Sequence, residues 1–150
     1  RRISERFQDL ILTFISSHVR SNPVYLTQDI AVYREGRDID WVEQINRRYA
    51  AVPQGLVFQL FGDRGFHEPS NQPMVTRGLV DGSLRFDDKD VVKLKILPVY
   101  SLMFYNRGRY LAAAGRHAEA AEAFNQSLAM DPGFSAAARG LAESQAAAGR

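Results

Sequence analysis

Three histidines, His18, His67 and His117, are the side chains of this chain best suited to proton transfer or metal ligation near neutral pH. They are spread over three separate stretches with no second ligand at the short spacing zinc sites use, so His18 and His117 read as surface residues. His67-Glu68 sits among glycines and prolines, where a catalytic role needs an Asp or Ser brought beside it by the fold. Asp81, Asp87, Asp88 and Asp90 cluster in sequence but lack the alternating D-x-D-x-D-G order of a calcium loop, which leaves helix capping and solvation as their work. Gly62 and Gly65 run into polar residues rather than a helix start, so they do not cradle a phosphate. Asn125-Gln126-Ser127 spells a glycosylation acceptor, but it falls inside a helical pattern with Ser127 toward the packing seam, and reads as accidental. The absence of cysteine removes a disulfide framework, a thiolate zinc site and a cysteine nucleophile. With no nucleophile, base and orienting group assembled by spacing, the expectation is a non-catalytic chain with no cofactor and no metal.

Composition narrows the partners. A chain of 150 residues that is 45% hydrophobic can fill the core of one or two ordinary modules and is not disordered. Its net charge of +2 is made of interleaved Lys, Arg, Asp and Glu, which describes a mixed solvated surface rather than a nucleic-acid stripe. No apolar run reaches the length of a membrane span, and ILTFIS at 11–16 is too short for one. The first residue is Arg rather than Met, which suggests a piece of a longer chain.

The elements that must position any site follow from periodicity. Ile3, Phe7, Leu10, Ile11, Phe14 and Ile15 recur at threes and fours and predict one helix with one buried face, ended by Ser21-Asn22-Pro23. Residues 24–27 predict a short strand, and YREGRD at 33–38 a loop. Asp38 or Asp40 can cap a second helix with Ile39, Val42, Ile45 and Tyr49 on one face. Pro53 and Gly55 break the chain before LVFQLF at 56–61, a second strand. Residues 1–62 thus form a small α/β unit, and the Gly- and Pro-rich stretch 63–87 a linker. From Asp88, taken as an acidic cap, the pattern predicts a helix kinked near Pro98, with a strand over 91–96 as the alternative because VKLKI alternates.

The stretch Phe104–Phe134 reads as two antiparallel helices turning at Gly115-Arg116. Gly108 costs its helix about 1 kcal/mol relative to alanine, which asks for a packing reason, and a closely crossing helix supplies one. Ala120, Phe124 and Ser127 lie at i, i+4 and i+7 on the second helix, and Asp131-Pro132 closes it. Phe104, Gly108, Leu111, Gly115, Ala120, Phe124, Ser127 and Pro132 fall in register with the signature slots of the tetratricopeptide repeat, which this stretch resembles. Leu111 stands where that family usually has tyrosine, and Arg107 where it has leucine; the arginine stem is expected to be partly covered and its head to reach water. A second repeat begins after Phe134 and stops at Arg150, so the last helix is expected to act as a cap, with Arg139, Glu143 and Gln145 on its wet side.

The fold class expected is therefore α+β and mainly helical: the small α/β unit, then over 88–150 a kinked helix, one tetratricopeptide hairpin and a capping helix. The resemblance implies that ligand-facing positions lie on the first helix of each repeat, which here are Tyr105, Arg109 and Ala112, then Arg139 and Glu143. An aromatic ring and two guanidiniums there suit a peptide with an acidic end.

The order of elements, with Pro23-Val24-Tyr25 and Pro53, Gly55, Leu56 and Leu60, also resembles the soluble tail of multi-pass membrane glycosyltransferases similar to protein O-mannosyltransferases. That resemblance implies an extracytoplasmic, periplasmic location, a membrane-attached parent whose catalytic residues lie elsewhere, and a positioning or protein-interaction role for this segment. The alternative is a free-standing cytoplasmic adaptor whose repeats continue past residue 150.

Overall fold

The computed structural model of the chain describes residues 2–27, 45–71, 78 and 83–149. Two compact units divide it, Arg1–Pro69 and Ser70–Arg150. The boundary falls inside the stretch 63–87.

In the first unit, helix α1 (Arg2–His18) is followed by strands β1 (Val24–Thr27), β2 (Ala50–Gln54) and β3 (Val57–Phe61), with residues 45–48 helical ahead of β2. The sheet is antiparallel in the order β1-β3-β2, with Val24 and Ala51 flanking Leu60 across the central strand. Ile15, Val24, Ile45 and Leu60 form its core, and Ile11 and Leu12 of α1 and Val19 just beyond it pack against it.

The first unit departs from its sequence pattern at β2 and at α1. Strand β2 contains Pro53, a residue whose sequence signal is a strand break. It is tolerated on an edge strand, where a missing N–H can face away from the sheet. Gly55 opens the two-residue turn to β3 at φ +69°, the left-handed backbone that such hairpins require of their first turn residue. The buried face of α1 is also narrower than expected: Phe7, Leu10 and Phe14 are exposed, and the core takes the neighbouring arc of Ile11, Leu12 and Ile15, with Val19 just past the helix end. At roughly 100° per residue the two arcs are centred about 120° apart, too wide for a three-stranded sheet to cover both. The proposed caps Asp38 and Asp40, with Ile39 and Val42, lie outside the described residues, as do the side chain of Ile3, the loop 33–38 and Asp81.

The second unit is helical. Helix, not strand, occupies 91–97. Asp90, rather than Asp88, caps its start by accepting the Val92 N–H at 2.7 Å; Asp88 instead pairs with Lys93. The turn Val92–Ile96 is π-helical, and the Leu97 N–H bonds the Val92 carbonyl five residues back. Pro98 follows in the first turn of α2 (Leu97–Ala113), so the widened turn sits where the proline ring and its missing N–H would otherwise disrupt a four-residue ladder. Helix α2 ends in a Schellman arrangement: Gly115 takes φ +78° and the Arg116 N–H reaches the Leu111 carbonyl at 2.9 Å. Helix α3 (His117–Met130) stops at Asp131, held extended ahead of Pro132, and α4 (Ser135–Ala148) completes the unit.

Helices α2 and α3 run antiparallel in close contact. Ser101 meets Ser127 at one end, where each Oγ donates to the other's backbone carbonyl at 2.9 and 2.8 Å. Gly108 meets Phe124 midway, and Leu111, Ala120 and Phe124 share a core with Ala137 of α4. The head of Arg107 does not simply reach water: Nη1 donates to the Ser70 carbonyl at 2.6 Å, which satisfies the partly buried guanidinium.

Candidate functional site

The floor of the site is one ring. A Cβ on Gly108 would lie 2.7–2.9 Å from three ring atoms of Phe124, and a Cβ on Gly140 would lie 2.5–2.9 Å from three. Phe124 is thus held between the bare backbones of α2 and α4, and the two outer helices approach α3 more closely than any side chain would allow.

Above this ring opens a cleft of about 420 Å³. Tyr105, Arg109 and Ala112 line it from α2, and Arg139 and Glu143 from α4, so the structure gathers all five expected residues on one surface. They converge because 105, 109 and 112 follow one helical face, as do 136, 139, 140 and 143. Tyr105 is fixed by ring contacts to Phe134 at 4.9 Å and Phe124 at 5.9 Å between centroids, and the Arg109 guanidinium lies 5.8 Å over the Tyr105 ring. The result is an aromatic and small-residue floor with two guanidiniums and one carboxylate at its rim.

Sequence reasoning missed His117, Phe124, Ala136, Gly140 and Ser144 as lining residues. Gly140 carried the same signal as Gly108, a glycine inside a helical pattern, and could have been found by the same argument. His117 was read as a surface residue. It begins α3, and its Nδ1 is buried with no hydrogen-bond partner, which no spacing rule announces.

The other candidates are not among the residues that line the cleft. His67 Nε2 pairs with Asp63 Oδ1 at 2.8 Å and its ring stacks on Phe61 at 3.7 Å, so an acid does lie beside this histidine, in an exposed loop. The same Asp63 oxygen accepts the Gly65 N–H, and that bond, with the His67 contact, holds the Asp63 carboxyl below its ordinary 3.8. The Lys93 ammonium does the same for Asp88. Asp90 caps the helix by accepting the Val92 N–H, and Asp87 accepts the Lys89 N–H within the turn ahead of it. His18 is tied to its own helix, Nδ1 lying 2.8 Å from the Phe14 carbonyl. Ser127 of the glycosylation triplet is fully buried against Ser101. Among the described residues no group of three His, Cys, Asp or Glu is placed to hold a metal, and no helix is long and apolar enough to cross a membrane. No protein-family model, curated protein or solved structure matches the chain.

Proposed function

We propose that this chain is a non-catalytic protein-interaction and positioning module, and that the cleft over Phe124 receives a peptide segment ending in a carboxylate. The observation that carries this reading is the convergence of Tyr105, Arg109 and Arg139 on one cleft with an apolar floor. The guanidiniums supply charge-assisted bonds to a carboxylate, the ring and the alanines Ala112 and Ala136 admit a small apolar side chain beside it, and Glu143 selects against a second acid on its side of the rim. The role fits the tail of a membrane glycosyltransferase-like parent, held on the extracytoplasmic face and recruiting an acceptor protein.

Calorimetric titration with peptides of mixed sequence tests this. Peptides with a free acidic C-terminus are expected to bind and their C-terminal amides to bind at least tenfold more weakly. Equal affinity for the two series, or none for either, contradicts the reading.

A further inference from the structure

The three histidines are not alike. His18 and His67 each have a ring nitrogen 2.8 Å from an oxygen of their own chain. At His117, Nδ1 is buried away from solvent and has no hydrogen-bond partner among the described residues. A buried polar atom left in this way asks for an explanation, and the partner of one ring nitrogen sets which of the two carries the proton. A proton on Nδ1 would be a buried donor with no acceptor, a rarer defect than an idle lone pair. In the neutral ring the proton therefore sits on Nε2, which is not stranded with Nδ1.

His117 lines the cleft from the first turn of α3. Its neighbour Arg116 is committed elsewhere: Nε and Nη2 donate to the two carboxylate oxygens of Glu119 at 2.5 Å each, and neither residue lines the cleft. Each of the three helices thus brings one residue with a nitrogen donor to the cleft, Arg109 from α2, His117 from α3 and Arg139 from α4.

Donors on three sides select what can lie between them. A carboxylate offers only acceptors, with lone pairs on both oxygens, so an imidazole N–H can share it with two guanidiniums. A C-terminal amide would turn its own N–H groups toward one of those donors, setting hydrogen against hydrogen in a cleft with an apolar floor.

We infer that His117 is a specificity-determining residue of the cleft, its Nε2–H donating to the ligand carboxylate that Arg109 and Arg139 hold. This rests on the peptide reading of the cleft and names the group that, with the two guanidiniums, separates an acid from an amide there.

The test titrates wild type, His117→Gln and His117→Asn with peptides of mixed sequence bearing a free acidic C-terminus, and with their C-terminal amides. The titrations are run at about pH 8, where an ordinary imidazole is neutral. Glutamine places an amide nitrogen near the position of Nε2, and asparagine near that of Nδ1. His117→Gln is expected to bind the acids as wild type does. His117→Asn is expected to bind them about tenfold more weakly and to bind the amides unchanged. Long-range nitrogen-15 correlation spectra of the free wild-type chain read the tautomer without any variant, and should show a protonated Nε2 and a bare Nδ1 at His117. Equal losses for acids and amides in His117→Asn would mean that the ring only shapes the cleft, and overturn the inference while leaving the peptide reading in place. No difference between the two variants, or a proton on Nδ1, does the same. No binding of either series by the wild type overturns both readings.

Discussion

The ring of Phe124 occupies the volume a Cβ on Gly140 would need, with its Cζ only 2.5 Å from that point. The same ring lies 2.7 Å from the point that a Cβ on Gly108 would occupy. It cannot retreat from one helix without striking the other, so both glycines are required at once. Alanine at either position gains about 1 kcal/mol of helix propensity but forces overpacking that costs about 1–3 kcal/mol. Gly108→Ala and Gly140→Ala are each expected to lower stability in urea melts, and Gly108→Leu to lower it further. A gain in stability from either alanine would mean that the ring is not confined.

Phe124→Ala removes the ring that both glycines frame and empties the floor of the cleft. A loss of about 3–5 kcal/mol is expected for a fully buried phenylalanine. In this background Gly140→Ala should become neutral or favourable, since the three atoms nearest its Cβ are all removed with the ring. Persistence of the Gly140→Ala penalty in the double variant would place its cause elsewhere.

Ser101 and Ser127 form a closed polar pair inside an apolar seam, each hydroxyl bonded to the other's carbonyl. Ser127→Ala is expected to cost about 1 kcal/mol, the net worth of one such bond. Replacing both serines by alanine should cost less than the sum of the singles, because neither change then leaves a hydroxyl facing an altered partner. Denaturation of the four members of this cycle measures the coupling. Strict additivity would contradict it.

Asp63 and Asp88 both hold carboxyls below their ordinary 3.8, Asp63 through the Gly65 N–H and His67, Asp88 through Lys93. A folded value below the unfolded one gives stability that is present above about pH 4 and is lost as pH falls through the lowered value. Thermal melts between about pH 2 and 6 should therefore show a steeper acid decline for the wild type than for Asp63→Asn/Asp88→Asn, with the curves converging at the acid end. Parallel curves would mean the two carboxylates contribute nothing to folding.

The helical hairpin was legible because its constraints are local. Gly108, Phe124 and Asp131-Pro132 each impose a backbone or packing condition that reads directly from residue type and spacing. Gly140 carries the same signal, set among the alanines of α4. Strand β2 was not legible, because whether Pro53 breaks a strand depends on its being at the sheet edge, and edge position is a property of the pairing order rather than of the strand. The outward turn of Phe7, Leu10 and Phe14 was hidden for a related reason: periodicity marks a residue as apolar and in register, while the width of the sheet beneath decides which arc is covered. The five cleft residues came from a resemblance, and their convergence depends on the crossing of α2 and α4 over Phe124. The buried Nδ1 of His117 had no signal in sequence at all.

Backbone amide spectra of the chain, recorded while a peptide with a free acidic C-terminus is added, test the central claim most directly. The account predicts saturable shifts concentrated at Tyr105, Arg109, Ala112, Arg139 and Glu143, and their loss in Arg109→Ala with the fold intact. Shifts confined to other residues, or a saturable response that survives Arg109→Ala unchanged, would contradict it.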